Sequence, residues 1–339
     1  MNRTRLVGYF RKYWRSEVGL LGTVMDALLF PGEILYSACR RMRRSAYEKN
    51  VMRSYSLEVP VVSVGNIAVG GTGKTPFSRW VFERLLKMGF VPGLVSGDLA
   101  QDEHELHEIW NTDGIFIIHK TKKKGADLAI ERGANFVVVD DGFQHFRLKR
   151  DVDVVMVAAE HLRFVRCFPR GCLREPFYAL TRADMVIVSR KTCNRSTAQK
   201  MVEKVEKYIS SEKIGQVHFK FAAWTDIAGN KVDAPCGRNL IVTSIAEPEE
   251  MITMVKSLTT DEPEALIYTD HYEFKRSDIE HIKNNSKGSN IIITEKDAIK
   301  LRAFTTILDN VFVLELDMKW ENGEQRMIEL LKKQERQVQ

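Results

Sequence analysis

The sequence predicts an α/β protein: a P-loop NTPase-like parallel-sheet domain, a second, smaller α/β domain, and an N-terminal amphipathic, membrane-associated helix. Three observations predict it. Continuous Val/Ile runs alternate with helical stretches through the 339 residues, a glycine-rich turn joins the first such run to a helix, and basic residues gather at the N-terminal end.

The basic segment comes first. Residues 1–50 hold ten Lys/Arg against four Asp/Glu, while the other 289 hold 41 of each, so the formal net charge of +6 belongs to one end of the chain. A body of zero net charge argues against a nucleic-acid groove and for an anionic surface met by the N-terminus. Leu21, Val24, Met25, Leu28 and Leu29 share one helical face between flanking arginines, among them Arg11, Arg15, Arg40, Arg41, Arg43 and Arg44. That is the make-up of a helix lying in the headgroup region of a membrane. Asp26, Pro31 and Glu33 interrupt the run, so the ~18 uninterrupted apolar residues of a span are not expected. No small-residue cleavage site follows, which argues against a signal peptide.

Next, residues 59–64 read as a short buried strand, followed by the glycine-rich turn and an amphipathic helix over 77–86. Strands are expected at 90–95, 115–118, 136–139, 154–158 and 185–189, with a helix near 126–131 and another at 196–210. Further strands fit 215–222, 239–243, 265–268, 291–294 and 311–316. Apolar runs of this kind between helices belong to parallel sheets covered on both faces. The polar segment 223–238 is the expected boundary between a domain at 51–222 and a smaller one at 239–339. The five cysteines form no CxxC pair, which points to reduced thiols and away from a disulfide or zinc framework.

Chemistry enters with Gly70-Gly71-Thr72-Gly73-Lys74-Thr75, directly after a strand and opening a helix. Glycines let backbone N–H groups turn inward around phosphate oxygens, and the helix N-terminus adds partial positive charge. Lys74 would reach the β- and γ-phosphates of ATP, and Thr75 would offer its hydroxyl to Mg²⁺. The strict pattern wants glycine at position 68, where the chain has Ala68; Gly70 and Gly71 are expected to supply the same freedom. The run 136–142 then ends a second strand in Asp140, Asp141 and Gly142. Carboxylates at such a strand end hold Mg²⁺ beside the loop hydroxyl.

Across Val64–Pro76, Asp140-Asp141-Gly142-Phe143-Gln144-His145, Pro169–Pro176, Asp270-His271 and Thr294-Glu295-Lys296-Asp297, the sequence resembles the tetraacyldisaccharide 4′-kinases of lipid A synthesis. The resemblance runs in order from about residue 30 to about 300. It implies transfer of the γ-phosphoryl of ATP to the 4′-hydroxyl of a tetraacylated glucosamine disaccharide 1-phosphate, a lipid-linked substrate. It also implies a place at the cytoplasmic face of the bacterial inner membrane, peripheral or monotopic, and two α/β domains with the site in the cleft between them. By position it makes Asp102 the base and His271 its partner, and it adds Arg174 and Glu175 as phosphate and Mg²⁺ contacts. Two departures stand out: Ser96-Gly97-Asp98-Leu99-Ala100 replaces the family's Ser-Arg-Gly-Tyr-Gly, and the segment after it is shortened. The base therefore lies between Asp102 and Asp98.

Rival readings are a P-loop protein that binds nucleotide as a switch or has weakened or lost catalysis, and a soluble P-loop kinase or ligase of a small metabolite. The basic amphipathic N-terminus argues against the second; Asp140, Asp141 and His271 together argue against the first. His104 and His107 make an incomplete metal pair, since residue 108 is Glu and no third ligand is evident. His145 is expected to hold its loop in place.

Overall fold

The computed structural model describes residues 10, 13–14, 19–97, 101–110, 114–163, 165–270, 272–304 and 307–335, with the side chains at 101, 102 and 335 left aside. In chain order the elements are α1 (Gly19–Glu48), β1 (Val61–Asn66), α2 (Lys74–Lys87), β2 (Pro92–Ser96), α3 (Gln101–Trp110), β3 (Ile115–Ile118), α4 (Lys122–Glu131), β4 (Phe136–Asp140), β5 (Val152–Ala158), β6 (Met185–Arg190), α5 (Arg195–Val205) and β7 (Ile214–Thr225). They continue as β8 (Lys231–Val232), β9 (Asn239–Thr243), α6 (Pro248–Leu258), β10 (Glu264–Ile267), α7 (Arg276–Asn285), β11 (Asn290–Thr294), α8 (Glu295–Leu301), β12 (Val311–Asn322) and α9 (Glu324–Glu335).

The chain divides into two compact units. Unit 1 comprises Met1–Asp98, Asn111–His218 and Trp320–Gln339; unit 2 comprises Leu99–Trp110 and Phe219–Lys319. The boundary expected in the polar segment 223–238 is thereby corrected. Division falls inside β7 and β12, because the chain passes from one unit to the other along extended strands with no linker. The C-terminal helix α9 returns to unit 1, and α3 is claimed by unit 2 although its neighbours in sequence, β2 and β3, lie in unit 1.

Unit 1 is a parallel sheet in the order β7-β6-β5-β1-β4-β2-β3. Every residue of β1, β4, β5 and β6 is buried, as strands covered on both faces require. The helix α2 closes one face through Phe77, Val81, Phe82 and Leu85, each fully buried. Burial of this kind contributes about 1.5–3 kcal/mol per large side chain, well above any helix propensity. In unit 2 the order is β10-β9-β11-β12, again parallel, around Leu240, Val242, Ile279, Ile282, Ile291 and Ile293.

The helix α1 is the most unusual element. It runs unbroken through Pro31 for 30 residues, and an 18-residue window reaches a mean hydropathy of 1.2 with none of it buried. Asp26 and Glu33 leave the apolar stripe because both turn to unit 1: Asp26 pairs with Arg166 and Arg170, and Glu33 accepts from the Arg170 guanidinium at 2.7 Å and the Cys167 N–H at 2.8 Å. Tyr36 donates to the Arg174 carbonyl, and Trp14 to the Pro169 carbonyl. The polar side of the helix is therefore the docked side. Leu20, Val24, Leu28, Leu35 and Met42 face outward, with Leu20 88% and Leu28 73% exposed.

Candidate active site

The site in unit 1 grows from two neighbouring strands. β1 and β4 pair in parallel with Val64 opposite Asp140, so the loop after β1 and the carboxylates ending β4 emerge side by side at the carboxyl edge of the sheet. Beyond β4 the chain crosses to the other side of β1, the switch of direction at which open α/β sheets bind ligands.

The loop obeys local rules. Gly70 and Gly73 adopt φ of 116° and 84°, a region closed to most side chains. Ala68 is tolerated because it is extended and bridged antiparallel to Leu173, so the turn expected to need glycine there is taken two residues later. The Val69 N–H donates to the Cys172 carbonyl, and Thr72 Oγ1 accepts from the Asn66 amide at 3.1 Å. Ser189 Oγ donates to the Thr72 carbonyl, and Lys191 Nζ donates to the Gly71 carbonyl at 2.5 Å. With both shoulders pinned, α2 starts at Lys74 behind a Gly73 cap that has no side chain. Its first N–H groups are those that a phosphate would meet.

Opposite the loop, Asp140 is buried and accepts from Ser78 Oγ at 3.1 Å, one helical turn beyond Lys74. Asp141 follows in a left-handed conformation (φ 52°) that turns its carboxylate toward cations. Arg174 donates to both oxygens at 2.9 and 2.8 Å, and Lys74 Nζ lies 3.6 Å away. Burial opposes the charge on Asp141, but Lys74 and Arg174 outweigh it and hold the carboxyl far below the usual carboxylate range. Its side chain keeps 37% of its surface open, so it remains reachable. His145, three residues past Gly142, is pushed down to about 4 by burial and then by the Lys122 charge, which leaves it neutral. Its carbonyl accepts from Arg150, as a loop-holding residue would.

Thr75, Asp140 and Asp141 would offer oxygen donors only, the hard chemistry that suits Mg²⁺. Glu175 accepts from Arg182 at 2.9 Å and from Arg40 of α1 at 3.4 Å. Asp98 and His271 lie outside the described residues, as does the Asp102 side chain; the backbone of Asp102 falls in the first turn of α3. His104 and His107 are buried in α3, the first beside Glu108 and the second against Trp110. Sequence reasoning missed Ser78, Lys122, Ser189 and Lys191. Ser78 was findable, because it stands four residues after Lys74 on the buried face of α2. Lys122 was not: it is 95% buried and donates to the Val95 carbonyl at 3.2 Å, yet reads as one of three consecutive surface lysines.

A parallel sheet with a glycine loop after its central strand, a lysine at the end of that loop and paired carboxylates on the next strand define a P-loop phosphotransferase. The sequence model of the tetraacyldisaccharide-1-P 4′-kinase family matches residues 25–113 and 102–336, and the chain belongs to that family. The two stretches overlap over α3, where the sequence departs from the family's pattern. Among curated relatives, the tetraacyldisaccharide 4′-kinase of Vibrio vulnificus is 28% identical over 323 residues, covering 89% of this chain and 90% of its own. That of Cytophaga hutchinsonii is 28% identical over 301 residues, covering 82% and 86%. Among solved structures, LpxK from Aquifex aeolicus, crystallised in complex with ATP, superposes with a TM-score of 0.70. It is 22% identical and covers 91% of this chain and 99% of its own. The fold is shared along almost the full length of both.

Proposed function

We propose that this kinase transfers the γ-phosphoryl group of ATP to the 4′-hydroxyl of a tetraacylated glucosamine disaccharide 1-phosphate. The observation that carries the reading is the cluster of Lys74, Asp141 and Arg174 at the carboxyl edge of β1 and β4, in a chain of the tetraacyldisaccharide-1-P 4′-kinase family. Gly70, Gly71, Thr72 and Gly73 wrap the phosphates with backbone N–H groups. Lys74 leaves Asp141 for the β- and γ-phosphates, and Arg174 is placed to follow it as negative charge spreads over the transferred group. Thr75, Asp140 and Asp141 would hold Mg²⁺, which supplies charge neutralisation between the phosphates; Glu175 would join them by leaving Arg182 and Arg40.

Phosphoryl transfer needs little covalent help from protein, so the acceptor requires an in-line position and a group to take its proton late. Asp102 is the proposed base, Asp98 the alternative, and His271 the group that orients the base or shares its proton. The outward apolar stripe of α1, with Arg41, Arg43 and Arg44 along the same helix, supports docking on an anionic membrane, where an acylated acceptor resides. The cytoplasmic face follows from the need for ATP.

Lys74→Ala tests the nucleotide half. Transfer of ³²P from ATP to purified disaccharide 1-phosphate in mixed micelles is expected to fall by ~10²–10³, the scale of losing one preorganised cationic contact. Near-normal turnover in that variant would refute the phosphate-loop reading.

A further inference from the structure

The segment Thr294-Glu295-Lys296-Asp297 is left without a role by the site above, yet it is among the most tightly bonded stretches of unit 2. Asp297 is fully buried and charged groups so placed need partners. Its carboxylate accepts from Thr243 Oγ1 at 2.8 Å, from Ser244 Oγ at 2.6 Å and N–H at 2.9 Å, and from Thr294 Oγ1 at 2.8 Å. Thr294 returns the contact as N-cap of α8, its hydroxyl accepting the Asp297 N–H. Lys300 adds a bond to Ser244 Oγ. The end of β9 and the first turn of α8 are thereby one rigid corner.

The two residues between the bonded pair point the other way. Lys296 Nζ donates to Glu103 of α3 at 3.0 Å, with only 18% and 20% of the two side chains exposed. Glu295 accepts from the Trp110 indole N–H at 3.1 Å. One contact holds the first turn of α3 and the other its last residue, and the helices α3 and α8 pack together along their length. These contacts join residues 193 and 185 positions apart, and all four residues lie in unit 2. The same corner supports β10: the Tyr268 N–H donates to the Thr243 carbonyl, two residues before Asp270.

We infer that Lys296 and Glu295 are positioning residues for the base: they clamp α3 to the Asp297 corner and so fix the helix turn that carries Asp102, next to Glu103. The inference rests on the assignment of Asp102 as base. Threonine and aspartate build the corner; glutamate and lysine reach from it.

The test is a double-mutant cycle in the full-length kinase, with kcat, KM for ATP and thermal midpoint measured for Lys296→Met, Lys296→Arg, Asp102→Ala and Lys296→Met/Asp102→Ala. A helix turn displaced by about an ångström costs ~10–100-fold in rate. Lys296→Met is expected to lower kcat by that factor with KM for ATP within about twofold, Lys296→Arg to restore most of it, and the loss to vanish in the Asp102→Ala background. A loss of equal size in both backgrounds would mark a general folding effect and overturn the inference, as would unchanged kcat in Lys296→Met while Asp102→Ala is inactive. Wild-type turnover in Asp102→Ala would instead retire the base assignment, and this role with it.

Discussion

At Asp141 two cations compete for one carboxylate, and that competition decides what a single substitution does. Removing Arg174 leaves Lys74 as the main partner of Asp141, so the lysine is held back from the nucleotide. Arg174→Ala is therefore expected to raise KM for ATP as well as to lower kcat, whereas Arg174→Lys should recover part of the kcat loss. An effect on neither parameter in steady-state kinetics would remove Arg174 from the site. His145 gives a pH prediction. Its folded-state value near 4 lies below the ordinary 6.5, so the folded protein refuses a proton that the unfolded chain accepts. The stability due to the neutral ring is complete above about pH 6.5 and is lost as pH falls toward 4, by up to ~3 kcal/mol. Urea denaturation between pH 7 and 4.5 should show that slope, and His145→Asn should flatten it. Legibility at this scale was uneven. Lys74, Asp140 and Asp141 could be read because their chemistry is local, a loop or a strand end. Lys122 and Lys191 could not, because only the fold brings them to the Val95 and Gly71 carbonyls, distant in sequence.

At the scale of elements, α1 inverts the usual rule for a helix on a soluble body. Asp26 and Glu33 face the protein while Leu20, Leu28 and Leu35 face out, so the helix offers a membrane an apolar stripe at no cost in docking. Leu28→Glu and Leu35→Glu should each weaken co-sedimentation with anionic vesicles, since each removes apolar burial worth about 1.5–3 kcal/mol and adds a repelled charge. Reversing Arg41, Arg43 and Arg44 should weaken it further, and more so at low salt. Binding that ignores both sets and ionic strength would contradict the docking role. The strands were legible as Val/Ile runs, because burial on both faces leaves few polar positions to blur them. Less legible was the passage of α1 through Pro31: the lost hydrogen bond is local, while the ion pairs that dock the helix are made with Arg166 and Arg170, far along the chain.

For the whole molecule, the order of motifs in sequence is not the order of their units. The helix α3 is mostly polar and lies in sequence between two strands of unit 1, so nothing local to it reveals its bonds to Lys296 and Glu295 of unit 2. A boundary looked for in polar residues was likewise missed, because β7 and β12 are themselves the passages. The central claim is the site of phosphorylation. That claim is tested most directly by labelling the disaccharide 1-phosphate with [γ-³²P]ATP in mixed micelles and then treating the product with mild acid, which cleaves the anomeric phosphate but spares an ordinary sugar phosphomonoester. The label is predicted to stay with the lipid as an acid-stable 4′-monoester. Label released by mild acid, or no transfer from ATP to this acceptor at all, would contradict the account.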